Sequence, residues 1–335
     1  MIEKNESNKR HFINKRERVV LLLLLLSLLP KISLGECFVE YLFLYVEGDK
    51  YGFMRADGKV EIAPQWEGAY PFDNGIAIVA KKQEDGSFLY GIINKSGDFI
   101  VAPIYSMIEK EQYTYGDGDY YCLCNYMSGI RSIEGIFDAK GKTLIVFSEP
   151  YYEINILQAG EYIAVNSKKT SRWGYVDESG QIVIPCQFDE AYGFVNGYGF
   201  IAEYHESSNS IEYALINTCG DKLFLPEQLE AYGVVQNDRF IIRTIDSMKY
   251  GLADISGNVI IEPQYDWMSE FENGIAVVFN GTKYGCILAD GKQLLPVVFD
   301  YVSIEKSGII VEFYGHQYIV DPTNMYITVF SQHNI

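Results

Sequence analysis

Trp173-Gly174-Tyr175-Val176-Asp177-Glu178-Ser179-Gly180-Gln181-Ile182-Val183-Ile184-Pro185 reads as one β-hairpin. Asp177 can open a type I turn by capping its own backbone, and Gly180 can take the left-handed conformation that closes it. Such a loop joins two antiparallel strands, so an aromatic strand precedes it and a β-branched one follows. The same pattern recurs along the chain. Its first glycine and turn glycine are Gly52 and Gly58, Gly91 and Gly97, Gly135 and Gly141, Gly174 and Gly180, Gly251 and Gly257, and Gly285 and Gly291. A further copy has Ala214 before Gly220, and an eighth, decayed copy has Tyr318 and Asn324 in the two positions. Successive copies are 39, 44, 39, 40, 37 and 34 residues apart through the seventh. A regular period of this length is the mark of a repeat architecture.

Proline follows the outgoing strand at Pro64, Pro103, Pro185, Pro263 and Pro296, with Pro226 after the weaker copy. Because proline has no N–H to donate, it is expected to end the ladder there. Eight residues past the turn glycine an aromatic returns as Trp66, Tyr105, Phe188, Tyr265 and Phe299. Glu67, Asp189, Asp266 and Asp300 follow four of these, and capping of a turn is the expected role of each. Phe72-Asp-Asn-Gly-Ile-Ala-Ile-Val79 and Phe271-Glu-Asn-Gly-Ile-Ala-Val-Val278 add an Asn-Gly turn and a buried strand. The glycine after each aromatic is read as backbone that a neighbouring ring covers, which pins register.

The expected fold is therefore all-β, with about seven to eight repeats of three to four strands, β-propeller-like. An open β-solenoid or superhelix is the alternative. The repeats are drawn near residues 41–79, 80–120, 121–160, 161–203, 204–240, 241–279, 280–306 and 307–335. Composition agrees: aromatics make up 15% of the 335 residues, with 27 Tyr and 19 Phe, which suits pleated, half-buried surfaces.

The net charge of −18 conceals two parts of opposite sign. Residues 1–35 hold seven basic and three acidic side chains, and the remainder carries −22. That acidity excludes nucleic-acid binding through phosphate contacts. The basic start runs into Val19–Leu29, an apolar run too short to span a bilayer and shaped like the core of a secretory signal. Residues 1–35 are thus expected to be a signal peptide and 36–335 an exported all-β domain, secreted or in the cell envelope. The alternative is anchorage by uncleaved residues 19–29; Leu34-Gly35-Glu36-Cys37 resembles a lipoprotein box except at Glu36. Cys37, Cys122, Cys124, Cys186, Cys219 and Cys286 do not recur at fixed spacing and read chiefly as small buried hydrophobes, with at most one bridge.

The sequence aromatic-Gly, two residues, Asp/Asn, two residues, Gly, β-branched residues, Pro and Tyr/Phe-Asp resembles the WG-repeat family of bacterial proteins over roughly residues 41–330. That family shares no common activity or catalytic residue, so the resemblance implies scaffolding or binding of a protein or glycan partner. Histidine is scarce, and neither a nucleophile elbow nor a phosphate-binding glycine loop stands in a strand-to-helix context. No enzyme, no cofactor and no metal are expected. A carbohydrate-active enzyme and a purely structural surface protein are the alternatives. The insertion Tyr113–Tyr121 lengthens one interval to 44 residues and supplies the candidate ligand-binding residues Tyr115, Asp117, Asp119 and Tyr120, with Tyr204–Ser210 second.

Overall fold

The computed structural model describes residues 41–113, 118–139, 142–158 and 161–329. The expected leader, Cys37, Gly141, Tyr115 and Asp117 lie outside them. Every described element is a β-strand, and within each sheet the strands lie in chain order and pair antiparallel. Strands β1 (Leu42–Glu47), β2 (Lys50–Arg55) and β3 (Val60–Trp66) form a three-stranded sheet. A four-stranded sheet follows from β4 (Gly68–Ala69), β5 (Ile76–Lys82), β6 (Phe88–Asn94) and β7 (Phe99–Tyr105).

The next sheet has seven strands: β8 (Met107–Gln112), β9 (Asp119–Met127), β10 (Ile130–Asp138), β11 (Thr143–Asn155), β12 (Ile163–Ser167), β13 (Trp173–Val176) and β14 (Ile182–Phe188). Three more four-stranded sheets succeed it. They are β15 (Glu190–Ala191), β16 (Tyr198–His205), β17 (Ser210–Asn217) and β18 (Lys222–Phe224); β19 (Leu229–Gln236), β20 (Arg239–Thr244), β21 (Tyr250–Asp254) and β22 (Val259–Tyr265); and β23 (Trp267–Met268), β24 (Ile275–Phe279), β25 (Tyr284–Leu288) and β26 (Gln293–Phe299). The decayed last repeat still forms a complete sheet of β27 (Tyr301–Glu305), β28 (Gly308–Phe313), β29 (His316–Val320) and β30 (Ile327–Val329). Four-stranded meanders of this kind are the blades of β-propellers, so the repeats are propeller-like.

Sheet limits fall after the returning aromatic, at Trp66, Tyr105, Phe188, Tyr265 and Phe299, whereas the sequence divides the chain near 79, 120, 160, 203, 240, 279 and 306. The glycine hairpin is the last strand pair of a sheet, and the residue after the aromatic begins the passage to the next.

The turn chemistry is as expected. Gly58, Gly97, Gly180, Gly220, Gly257 and Gly291 have φ between 80° and 87°. Asp177 accepts hydrogen bonds from Ser179 N at 2.8 Å and Gln181 N at 3.1 Å. The proline is a different matter. Strands β3, β14, β22 and β26 continue through Pro64, Pro185, Pro263 and Pro296. Tyr51 pairs Trp66 and Phe53 pairs Ile62, so one residue faces three; Tyr250/Tyr265 and Leu252/Ile261 repeat this. Proline thus occupies a bulge, where its missing N–H leaves no ladder bond unmade.

The bulge also explains the first glycine better than ring cover does. A Cβ on Gly52 would stand 2.5 Å from Ile62 O, on Gly174 2.6 Å from Ile184 O, and on Gly251 2.4 Å from Ile261 O. In each case the obstruction is the carbonyl ten residues on.

The acids after the aromatics pair with the base before the aromatic-glycine step, seventeen residues upstream. Lys50 pairs Glu67, Arg172 pairs Asp189, Lys283 pairs Asp300, and Lys249 Nζ lies 2.6 Å from Asp266 Oδ1. Asp189 and Asp300 also accept the backbone N–H of Tyr204 and Tyr314. These are contacts across strands and not turn caps. Since Lys249 and Asp266 are both partly exposed, Asp266→Asn should cost no more than about 1 kcal/mol, and less at high salt. Denaturant midpoints at low and high ionic strength check this.

By packing, the described residues divide into two compact units, 41–81 with 93–99 and, in the other, 82–92 with those from 100 to 329. The first has a core of Phe53, Ile62, Trp66, Val79 and Ile93, with Phe72 edge-on to Phe53 at 4.6 Å. In the second, one apolar cluster, with Cys124, Ile136, Tyr151 and Val165, lies on the seven-stranded sheet. Others bridge adjacent sheets: Tyr175, Phe188 and Phe194 in one, Leu252, Met268 and Val278 in another.

Cys122, Cys124, Cys186, Cys219 and Cys286 are free thiols, and Cys122, Cys124 and Cys286 are buried. Burial pushes Cys286 from a free thiol's 9.0 up to about 12, and burial, then its neighbour Cys124, pushes Cys122 up to about 12. Both favour folding below pH 9 through their neutral form, and that contribution is lost as pH rises from 9 to 12. The denaturant midpoint should therefore fall steadily over the accessible part of that window, and a flat profile would contradict the burial.

Candidate active groove

Of the loop candidates in the structure, Asp119 opens β9 opposite Gln112 and its carboxylate pairs Lys110 Nζ at 2.9 Å. Tyr120 is buried, its ring 5.0 Å from that of Tyr113, and burial raises its pKa above the ordinary phenol range. The second candidate, Tyr204–Ser210, is a hairpin tip whose side chains bond one another: Tyr204 Oη donates to Asn209 Oδ1 at 2.8 Å, and His205 Nε2 meets Glu212 Oε2 at 2.9 Å.

A larger feature lies elsewhere in the second unit. A groove of about 700 Å³ opens along the seven-stranded sheet. Glu111, Tyr120, Cys122, Arg131 and Ile133 from β8, β9 and β10 form one wall. Glu153, Ile154 and Asn155 from β11 and Trp173 from β13 come next, and the segment Asp189–Tyr192 forms the other wall. Among the described residues, Tyr120 is thus the loop candidate that the structure brings to the groove, and Asp189 is the repeat acid.

The groove lies where the third repeat is irregular. Elsewhere the chain breaks its ladder after the aromatic and turns. Here β11 keeps a proline, Pro150, before its aromatic, Tyr151, and shifts register there, but it does not end at the aromatic. It runs for 13 residues to Asn155, pairing β10 up to Tyr151 and β12 from Tyr151 on. Two four-stranded blades are thereby fused into one sheet whose continuous face forms the floor.

The far wall is held in place from below. Tyr175 Oη donates to Tyr192 O at 3.1 Å, and Gly193 N donates to Asn155 Oδ1 at 2.9 Å. The backbone approach is close enough that a Cβ on Gly193 would stand 2.8 Å from Asn155 O. Tyr192 nevertheless keeps 45% of its surface exposed. Its partial burial, then the charge of Glu190 and a hydrogen bond to it, raises its pKa.

The charges fall into two groups. Asp189 is held below the usual carboxylate range by the Tyr204 N–H and by Arg172, and Arg131 pairs Glu109. Glu111, Glu153 and Glu190 make no ion pair among the described residues. The groove therefore presents aromatic rings and a surplus of negative charge. Among the described residues no group of three or more His, Cys, Asp or Glu could hold a metal ion, and no helix is long and apolar enough to cross a membrane. Trp173, Tyr192, Glu153 and Glu190 were not singled out by the sequence as site residues; the signal in the third repeat is that Pro150 and Tyr151 come later after the turn than in the other copies.

Comparison with known proteins places these observations. The family model of the WG containing repeat matches residues 51–83, 90–111, 173–202 and 250–284. No curated protein matches the chain. Among solved structures, the chain is similar to one described as the eukaryotic initiation factor, at 12% identity and a TM-score of 0.42, over 87% of this chain and 85% of that one. It is similar also to the β-propeller domain of the Trilobed protease from Pyrococcus furiosus, at 10% identity and a TM-score of 0.35, over 88% of this chain and 100% of that one. TolB from Acinetobacter baumannii matches at 11% identity and a TM-score of 0.31, over 78% of this chain and 81% of that one.

Proposed function

From the WG containing repeat, matched in four regions of this chain, we propose that the protein is an exported binding scaffold that takes a protein or glycan partner in its groove and does not turn it over. The groove carries the reading: a concavity of about 700 Å³, lined by Trp173, Tyr192 and Tyr120, where one strand joins two blades into a single sheet. Amphipathic rings in a concave site with a few fixed polar groups suit recognition. Export rests on the basic stretch Lys4–Arg18 leading into Val19–Leu29 and on the acidic body.

The test is capture of peptides and glycans on arrays by residues 36–335, with Tyr192→Ala as the control. Tyr192 is exposed and its anchor runs through its backbone carbonyl, so the ring can be removed without removing the anchor. Binding should weaken by roughly thirtyfold, about 2 kcal/mol, as for a central aromatic contact. Hydrolysis of a captured glycan would overturn the non-catalytic reading. Full-length, uncut chain in the cytosol of fractionated cells would overturn export.

A further inference from the structure

Two segments of the second unit carry the same four residues: Glu190-Ala191-Tyr192-Gly193 and Glu230-Ala231-Tyr232-Gly233. In the second, the sequence holds a guanidinium. Glu230 pairs across the ladder with Arg243, and Arg243 with Tyr250. Arg243 Nε donates to Glu230 Oε1 at 2.6 Å, and its guanidinium carbon lies 5.2 Å from the ring centre of Tyr232 and 5.6 Å from that of Tyr250. A cation is thus bound by one carboxylate and two aromatic faces, the geometry in which the ring quadrupole adds to the charge pair.

The first segment has the acid and the ring but not the cation. Glu190 pairs with Ala202, and Ala202 with Tyr213, so Ala202 stands where Arg243 stands. Tyr213's pKa is raised by its burial and then by Glu230 and Glu190, and the nearby guanidinium of Arg243, which is committed to Glu230, only partly offsets this. Glu190 and Tyr192 instead line the groove, with Glu153 and Glu111 farther along it, and none of the three carboxylates has a basic partner among the described residues.

We infer that the groove binds a cationic peptide segment, one arginine or lysine of which takes beside Glu190 and Tyr192 the place that Arg243 fills beside Glu230 and Tyr232. The inference rests on the reading of the groove as a binding site and names the partner's chemistry. A neutral glycan could stack on the rings, but it would cover unpaired carboxylates without compensating their lost hydration; a cation compensates it. A body of net charge −22 outside residues 1–35 also draws a basic partner in and repels an acidic one. A groove of about 700 Å³ accepts one long side chain and its flanking residues.

The test is calorimetric titration of residues 36–335 with three probes: an acetylated hexa-arginine peptide, a Gly-Ser hexapeptide and a neutral chito-hexaose. The hexa-arginine peptide should bind, more weakly as salt rises, and the other two should not. Glu190→Gln should weaken it roughly tenfold, as loss of one close charge pair does. Glu262→Gln, which removes an exposed acid outside the groove, should leave it unchanged. Ala202→Arg should supply the missing guanidinium and abolish binding; since Ala202 is buried, Glu190→Gln together with Tyr192→Phe carries the test if that variant does not fold. Equal losses in Glu190→Gln and Glu262→Gln would mean diffuse attraction and overturn the inference. Binding of the hexaose in preference to the peptide, lost in Tyr192→Ala, would overturn it while leaving the binding scaffold intact. If no probe and no array ligand bound, both readings would fall.

Discussion

Gly251→Ala is expected to destabilise the protein by about 3 kcal/mol, at the upper end of the cost of overpacking. The added methyl would stand 2.4 Å from Ile261 O and 2.8 Å from Pro263 N, both backbone atoms that no rotamer change can move. The chain contains its own control. In the fifth repeat the same position is Ala214, and there the bulge is absent: Ala214 pairs Phe224, Leu215 pairs Leu223 and Ile216 pairs Lys222 in unbroken register. The strand then ends at Phe224, short of Pro226. Alanine and the proline bulge thus exclude one another. A matched variant, Gly58→Ala, meets nothing within 4 Å and has only its φ of 83° to contend with, so about 1 kcal/mol is expected there. Denaturant midpoints of the two variants separate the accounts, and equal losses would refute the close approach.

Phe194→Ala is expected to cost about 3–5 kcal/mol, the range for emptying a buried aromatic site. Its ring is fully buried, 4.9 Å edge-on from Tyr175 and 5.1 Å from Tyr162. The loss should be local, because in a chain of repeats each sheet is held mainly by its neighbours. Hydrogen exchange should quicken in β15–β17 and β12–β13 while β27–β29 keep their protection. Phe194 packs on Tyr175, whose hydroxyl holds the carbonyl of Tyr192, so the hexa-arginine peptide should bind less well to the variant even where it remains folded. Uniform loss of protection throughout the second unit would contradict this picture.

The hairpin turns could be read residue by residue because their signals are local: an Asp or Asn that bonds its own backbone two and four residues on, and a glycine at positive φ. The aromatic period was legible for the same reason. The bulge was not, since proline's missing N–H is compatible both with a strand's end and with a bulge inside it. Only the pairing of Tyr51 with Trp66 decides between them. The link between Lys249 and Asp266 is visible as a spacing of seventeen once the strands are known to be neighbours, but nothing local at Asp266 distinguishes an ion pair from a turn cap. The groove was the least legible part. Attention to the long interval led to Tyr113–Tyr121, of whose described residues Tyr120 reaches it, whereas the informative departure was a proline and aromatic, Pro150 and Tyr151, displaced within the third repeat.

The fusion of two blades through β11 has a mechanical consequence. A chain of separate four-stranded sheets, stretched from its ends, should yield sheet by sheet, each release lengthening the tether by some forty residues of slack, on the order of 130–140 Å at ~3.3–3.6 Å per residue. Strands β8–β14 share one ladder from Met107 to Phe188. They should let go together, in a single rupture of about twice that length.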